Sequence, residues 1–202
     1  MQEVDLGVCR GRYYDGDGRV AIVLPGAHYL PGYPLLWFAG EAVRQLGWGV
    51  LEIWDEVDDA DGDRKSWVEA RARAALEWSS GARSLLLVAK SISSLAAGLD
   101  RTATLPAIWL TPVLNFPEVV AALERRTAPG LLVGGTADDP HWIPSIAARM
   151  PAAEIVEIEG ADHALQIEGD ARRSVDTLRR VVDAVLSFVE RLDISHSDLY
   201  RS

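Results

Sequence analysis

The stretch SLLLVAKSISS, residues 84–94, decides the fold, because a short apolar run ends here in a lysine and a serine. Short apolar runs bounded by turn residues are typical of strands buried inside a parallel sheet. The residues that follow suit a helix. We therefore predict a strand at 84–89 and a helix at 92–100, with Ser91 at the turn between them.

The same alternation runs along the rest of the chain. The other predicted strands lie at 20–24, 49–54, 107–111, 130–134 and 154–159. The other predicted helices lie at 34–46, 64–79, 116–126, 142–149 and 171–192. A further strand near 4–13 is expected to join 20–24 as a hairpin through the turn at 15–18.

The last predicted helix has the clearest pattern. Its apolar face is formed, at spacings of three and four, by Val175, Leu178, Val182, Val185, Val189 and Leu192. Such a face needs a sheet to cover it. Repeated strand and helix alternation predicts one α/β domain over residues 1–202, a three-layer α/β/α sandwich with a mostly parallel, doubly wound sheet.

Composition and charge limit the partners of the chain. Its 202 residues are 49% hydrophobic and 25% charged, as in ordinary soluble globular proteins. A formal net charge of -10 disfavours nucleic acid and anionic membranes as partners. Cys9 is the only cysteine, and no apolar run is long enough to span a bilayer. We expect a cytoplasmic protein; the sequence leaves its oligomeric state open.

Chemistry is expected in the loops that follow the strands, because ligands of such folds bind beyond the carboxyl ends of the strands. Ser91 is flanked, two residues away on each side, by the small residues Ala89 and Ser93. This is the spacing of a GxSxG turn, which exposes a nucleophilic serine. A serine at this place also suits a helix N-cap, so the segment alone leaves both roles open. A phosphate-binding loop is excluded, because a strand and no glycine-rich loop precedes Lys90.

Two later loops supply the other groups that a nucleophilic serine needs. The segment GGTADDPHW, residues 134–142, offers Asp138 or Asp139 just after a strand, although either could instead cap a helix. The segment EGADHALQ, residues 159–166, offers His163, and histidine can accept a proton at neutral pH. Serine, aspartate and histidine thus follow one another in the order typical of one serine hydrolase fold.

With these motifs in place, the sequence resembles the α/β-hydrolase superfamily over roughly residues 20 to 190. The matching segments are AKSIS, GTAD and GADH, together with VLPGAHYLPGYP at 23–34, which resembles the family's oxyanion loop with Pro25-Gly26 in place of the usual His-Gly pair. The resemblance implies a minimal α/β-hydrolase fold. With little room between Thr111 and Phe116, no cap domain or lid is expected.

The resemblance also implies roles for individual residues. Ser91 would be the nucleophile, His163 the general base and acid, and Asp138, in preference to Asp139, the carboxylate that orients the histidine. The main-chain N–H groups of Ala27 and Ile92 would form the oxyanion hole.

An open cleft is expected above these groups. Its expected border consists of Tyr29, Tyr33, Trp142 and the loop at 111–115. Within that border His28, Tyr29 and Trp142 are the candidate substrate-binding residues.

No metal or cofactor is predicted. Asp138, Asp139, His141 and His163 are close in sequence terms, but they lack the HxH or HExxH spacing of zinc sites. The acidic segment at 55–64 lacks the glycine and glutamate of a calcium loop, and we expect a solvated loop there.

Two functions follow as hypotheses. The first is a cofactor-independent serine hydrolase that cleaves a small ester, thioester or related acyl compound through an acyl-enzyme. The alternative is a binding or scaffold protein that keeps the fold without turnover, which the substituted glycines of the AKSIS turn favour. The distance between His163 and Ser91 distinguishes them.

Overall fold

The structure is a computed structural model that describes residues 1–56 and 63–199, with side chains described as far as Leu192. Its described part contains one eight-stranded sheet in the order β1-β2-β4-β3-β5-β6-β7-β8. The strands are β1 (Gln2–Asp5), β2 (Arg10–Tyr14), β3 (Arg19–Leu24), β4 (Gly49–Ile53), β5 (Ser84–Lys90), β6 (Ala107–Leu110), β7 (Gly130–Gly135) and β8 (Ala153–Ile158). From β4 to β8 all neighbours are parallel.

Helices cover both faces of this sheet. They are α1 (Pro34–Gln45), α2 (Arg64–Trp78), α3 (Asp100–Ala103), α4 (Pro117–Glu124), α5 (Pro144–Ala147) and α6 (Ala171–Leu199). A 3₁₀ helix, Ser91–Gly98, follows β5 directly. On one face α1 packs against α6, and on the other the 3₁₀ helix packs against α2 and α4. The predicted three-layer α/β/α sandwich is confirmed.

The side chains of successive residues in the central strands point alternately into two separate cores. Along β5, Leu86 and Val88 belong to the core under α1 and α6, whereas Leu87 and Ala89 belong to the core under α2 and α4. Because side chains alternate across a strand, a strand covered on both faces must be apolar throughout. This is why the central strands are recognisable as continuous apolar runs.

The N-terminal segment differs from the prediction. It forms two strands, β1 and β2, which pair with each other, and β2 then pairs antiparallel with β4 and not with β3. A hairpin with β3 is impossible because β4 and β5 occupy both sides of that strand. The segment at 15–18 instead crosses over the start of β4, where Gly16 has no room for a Cβ beside the main chain of Gly49.

Two helices also differ from the prediction. The segment predicted as a helix at 92–100 is a 3₁₀ helix followed by the short α3. The last helix continues to Leu199, beyond the predicted end at 192. Val175, expected on its apolar face, is 67% exposed, and Phe188, which was not expected there, is buried. Most of the acidic segment at 55–64 lies outside the described residues.

The topology places one candidate site. From β3 the chain first goes through α1 to β4 on one side, and then returns through α2 to β5 on the other. At such a switch in direction the loops after two adjacent parallel strands diverge and leave a crevice at their carboxyl ends. None of the described helices combines the length and the apolar character that crossing a membrane requires.

Candidate active site

Ser91 stands at the sharp turn between β5 and the 3₁₀ helix. Its φ is 54°, in the left-handed region that residues other than glycine rarely adopt and that costs of order 1–3 kcal/mol. Hydrogen bonds around it hold this conformation. The Ser94 hydroxyl donates to the carbonyl of Ser91 at 2.7 Å, and the Ser93 hydroxyl donates to the carbonyl of Pro25. The N-cap position belongs to Lys90 and no side chain caps the helix, so the structure does not support a capping role for Ser91.

A chain of hydrogen bonds joins the three predicted groups. The Oγ of Ser91 lies 2.7 Å from Nε2 of His163, and Nδ1 of His163 lies 2.8 Å from both carboxylate oxygens of Asp138. Because a carboxylate accepts hydrogen bonds, Nδ1 carries the hydrogen and Nε2 is left to accept the serine hydroxyl. This arrangement can take the proton from Ser91 as its oxygen attacks a carbonyl carbon.

Burial keeps the imidazole neutral. Asp138 is 3% exposed, and about a third of the His163 side chain reaches solvent. Desolvation lowers the pKa of His163 below its ordinary value of 6.5, and the charges of Lys90 and His141 act in the same direction. The hydrogen bond to Asp138 opposes this shift. His163 is therefore unprotonated at pH 7 and able to act as a base.

The loops after β7 and β8 are held together, which brings Asp138 to His163. A Cβ on Gly135 would come within 2.1 Å of the Ala161 carbonyl oxygen, so only glycine permits this approach. Within the second loop, Oδ1 of Asp162 accepts hydrogen bonds from the main-chain N–H groups of Ala164 and Gln166.

The two adjacent aspartates lie in different surroundings. Asp138 lies beneath the imidazole of His163, whereas Asp139 is exposed.

The predicted oxyanion loop lies against the serine. A Cβ on Gly26 would come within 3.4 Å of the Cβ of Ser91, so the loop after β3 passes close above the turn. Paired hydrogen bonds between Gly26 and Tyr29 close a tight turn around Ala27. Within the described part of the chain, the N–H groups of Ala27 and Ile92 have no hydrogen-bond partner. An oxyanion hole needs N–H donors without other partners, and both groups meet that condition.

Two residues without a predicted role also contact this group. His141 directs Nδ1 at Asp138 from 3.1 Å, and its ring packs on that of His163 with centroids 4.5 Å apart. Lys90 is 1% exposed and donates to the main-chain carbonyl of His163. In the sequence, His141 lies close to Asp138 and Lys90 is next to Ser91. That proximity was the only sign of their place in the site, and it does not show where either side chain points.

Three of these residues could hold a metal ion. One donor atom each from Asp138, His141 and His163 lie within 4.8 Å of one another, a donor set that suits zinc. Both ring nitrogens of His163 are already engaged, Nδ1 with Asp138 and Nε2 with Ser91. A metal ion bound to His163 would therefore replace one of these two hydrogen bonds.

The border of the cleft differs in part from the prediction. Trp142 is 6% exposed and donates its indole N–H to Glu157, and a Cβ on Gly134 would come within 2.0 Å of its ring. It is a core residue that offers little surface to a substrate. Tyr29 packs on Tyr33 with ring centroids 5.0 Å apart, and Tyr33 is 49% exposed.

The remaining predicted borders of the cleft can also be located. His28 is exposed and has a φ of 52°. The segment from 111 to 116 leads directly from β6 to α4 without an inserted lid, and much of it is buried.

Solved structures with this fold include proteins named as hydrolases. Est1E from Butyrivibrio proteoclasticus, with ferulic acid bound, superimposes with a TM-score of 0.75 at 15% identity, over 95% of this chain and 98% of that one. A dienelactone hydrolase from Anabaena variabilis superimposes with a TM-score of 0.70 at 16% identity, over 94% of this chain and 95% of that one. A serine hydrolase without a lid from Xanthomonas campestris superimposes with a TM-score of 0.64 at 16% identity, over 95% of this chain and 93% of that one.

These likenesses show the fold. No protein-family model matches the chain, and neither does any curated protein. At identities this low, function has to be argued from the site itself.

Proposed function

We propose that this chain, which has the α/β-hydrolase fold, is a serine hydrolase of small acyl compounds. One observation carries the proposal: Ser91, His163 and Asp138 are joined by hydrogen bonds of 2.7 and 2.8 Å at the carboxyl ends of three parallel strands. Serine is a poor nucleophile without an adjacent base, and a base needs an orienting partner. The chain supplies all three in the required order.

The proposed reaction passes through an acyl-enzyme. His163 removes the proton of Ser91 as Oγ attacks the carbonyl carbon of the substrate, and Asp138 stabilises the imidazolium that forms. The N–H groups of Ala27 and Ile92 stabilise the negative oxygen. His163 then donates the proton to the leaving group, and in a second round a water molecule, activated by the same histidine, releases the acyl group as an acid.

The proposed substrate is a small ester or thioester. No lid is inserted between β6 and α4, and about a third of the His163 side chain reaches solvent. The Est1E structure holds ferulic acid, a small carboxylic acid, and a second similar structure is a dienelactone hydrolase by name. Tyr29 and Tyr33, whose rings lie 5.0 Å apart within the proposed oxyanion loop, offer an apolar surface to the substrate. The distance of 2.7 Å between Ser91 and His163 counts against the non-catalytic alternative.

Hydrolysis of p-nitrophenyl esters with acyl chains of increasing length tests the proposal. Ser91→Ala should lower kcat by at least about 10³-fold on any ester that the wild type cleaves. Ser80→Ala, a serine exposed on the protein surface, is the matched control and should keep the wild-type rate. Equal hydrolysis by the wild type and Ser91→Ala would show that any activity arises elsewhere.

A further inference from the structure

We infer that Lys90 is a positioning residue for the proposed Ser91 and His163 pair: its ammonium holds the His163 loop in place through a main-chain carbonyl and places a positive charge beside that residue. The inference rests on the proposed function, because it concerns the same site. It concerns a buried residue that takes no step of its own in the proposed reaction and that directly precedes Ser91 in the chain.

The geometry of Lys90 supports this role first. It is the last residue of β5, and its side chain runs beneath the oxyanion loop, where its Cδ lies 3.5 Å from the position of a Cβ on Gly26. Its Nζ donates to Oγ1 of Thr111 at 3.0 Å and to the carbonyl oxygen of His163 at 2.9 Å, and it lies 4.6 Å from the ring centre of Tyr29. One ammonium thus joins the loops after β3, β6 and β8 beneath the site.

The bond to His163 has a direct consequence for the base. The main-chain carbonyl that Lys90 holds belongs to the residue whose imidazole must reach Ser91 at 2.7 Å. Catalytic groups must be held within fractions of an ångström of the productive geometry. The imidazole itself contacts Asp138, Ser91 and His141, whereas Lys90 holds the main chain of the same residue. Lys90 therefore fixes the position of the main chain of His163, and with it the position of the imidazole, relative to the end of β5.

The burial of Lys90 is costly, which argues for a role beyond packing. A buried ammonium loses its hydration, and an apolar side chain of similar length would avoid that cost. Burial lowers the pKa of Lys90 to about 8, while Asp138 and Asp162 raise it. The titratable groups that face it are Tyr29, Asp138, Asp162 and His163. At pH 7 the group is mostly charged.

The charge of Lys90 acts on His163 in one direction. A nearby cation disfavours a second positive charge, and Lys90 accordingly lowers the pKa of His163. Without it, the imidazole would be protonated at a higher pH and would lose its capacity as a base there. A purely structural role would not produce this shift, so the pH dependence distinguishes the two roles.

The test compares Lys90→Met with Thr111→Val. The first removes the charge and the bond to His163 but keeps a long side chain, whereas the second removes one partner of Nζ and leaves the charge. The readout is the second-order rate of Ser91 labelling by a fluorophosphonate between about pH 5 and pH 9, chosen to bracket the ordinary pKa of histidine. We expect Lys90→Met to label about 10- to 100-fold more slowly, with the midpoint of its acid limb at higher pH. Thr111→Val should keep the wild-type midpoint.

Two results would overturn the inference. One is a wild-type rate and midpoint in Lys90→Met. The other is a slower rate with an unmoved midpoint, because that is what loss of packing alone produces. If Lys90→Met does not fold, Lys90→Arg replaces it in the test. Because this variant keeps the charge, it should retain the wild-type midpoint. A midpoint at higher pH in Lys90→Arg would contradict the inference.

A second measurement separates this inference from the proposed function. The pKa of His163 can be followed by NMR titration of its ring protons, assigned by their loss in His163→Gln, in protein that need not turn over a substrate. Lys90→Met should raise that pKa. If the wild type failed to label, the proposed function would fail while this titration still tested Lys90; an unchanged pKa would overturn the inference whatever the labelling showed.

Discussion

Two adjacent aspartates differ in a way that only the folded chain reveals. Asp138 accepts hydrogen bonds from His163 and His141, whereas Asp139 is exposed. The sequence favoured Asp138 only by resemblance, and its burial beneath the imidazole gives the physical reason. The side chain that holds Nδ1–H of His163 fixes the tautomer in which Nε2 can accept a proton.

This difference gives a paired prediction. Asp138→Asn should lower the rate of esterase turnover or phosphonate labelling by about 10³- to 10⁴-fold, because an amide no longer fixes the productive tautomer or stabilises the imidazolium. Asp139→Asn, the matched control, should stay within about twofold of the wild type, since it alters one exposed charge. The assignment fails if Asp139→Asn is the more damaging of the two.

The pH dependence follows from the state of His163. Because its pKa is lowered, the neutral base is present above the ordinary value of 6.5 and is lost only as the pH falls through the lower value in the folded protein. We therefore predict that kcat/KM or the labelling rate is unchanged between pH 7 and about 6.5 and declines below it. A wild-type midpoint clearly above 6.5 would show that the carboxylate outweighs burial at this imidazole.

At the level of elements, the turn between β5 and the 3₁₀ helix combines strain with function. Ser91 adopts a left-handed conformation because the chain must turn sharply to present its hydroxyl to His163. The hydroxyls of Ser93 and Ser94 attach this turn to the loops after β3 and β6. Ser93 stands where the family usually has glycine, and its hydroxyl donates to the carbonyl of Pro25 in the loop after β3.

The strain can be measured by comparing two inactive variants. Ser91→Ala keeps a Cβ at a φ of 54°, whereas Ser91→Gly removes it. We predict that Ser91→Gly has the larger free energy of unfolding, by about 0.5–1 kcal/mol, because glycine adopts this conformation without a steric penalty. Urea denaturation followed by circular dichroism provides the measurement. Equal stability of the two variants would indicate that the turn carries no appreciable strain.

The elements that could be predicted from sequence are those whose pattern is local. The six parallel strands were predicted to within one residue of their observed ends, and the five inner ones, from β3 to β7, are largely buried apolar runs. The pairing of β2 could not be predicted, since it depends on which edge of the sheet is free. Among the site residues, Ser91, Asp138 and His163 follow strand ends in a recognisable order. The contacts of Lys90 and His141 depend on side-chain direction, and spacing does not determine that direction.

At the scale of the whole molecule, two separate cores lie on either side of the sheet that carries the site. Phe188 of α6 is 2% exposed and belongs to the core between α6, α1 and the sheet, which is separate from the core that contains the 3₁₀ helix. Its side chain is far along α6 from the loops that carry the three predicted groups. Ala161 and Leu165, which flank His163, belong to the same core.

We predict that Phe188→Ala lowers the free energy of unfolding by about 3–5 kcal/mol, through lost burial and the cavity left behind. The labelling rate of the folded fraction at low temperature should remain within about threefold of the wild type, since distant sites act nearly independently. Chemical denaturation and labelling of the same preparation check both statements. A loss of labelling that exceeds the loss of folded protein would mean that this core also shapes the site.

The account as a whole depends on Ser91 being an activated nucleophile. The most direct measurement is reaction with a fluorophosphonate, followed by the mass of the intact protein. Fragmentation of the tryptic peptide 91–101 in the mass spectrometer then shows whether the adduct is on Ser91, Ser93 or Ser94. We predict one adduct per chain, located on Ser91, absent from Ser91→Ala and formed far more slowly by His163→Ala. Folded wild-type protein that forms no adduct, or an adduct that persists in Ser91→Ala, would contradict the account.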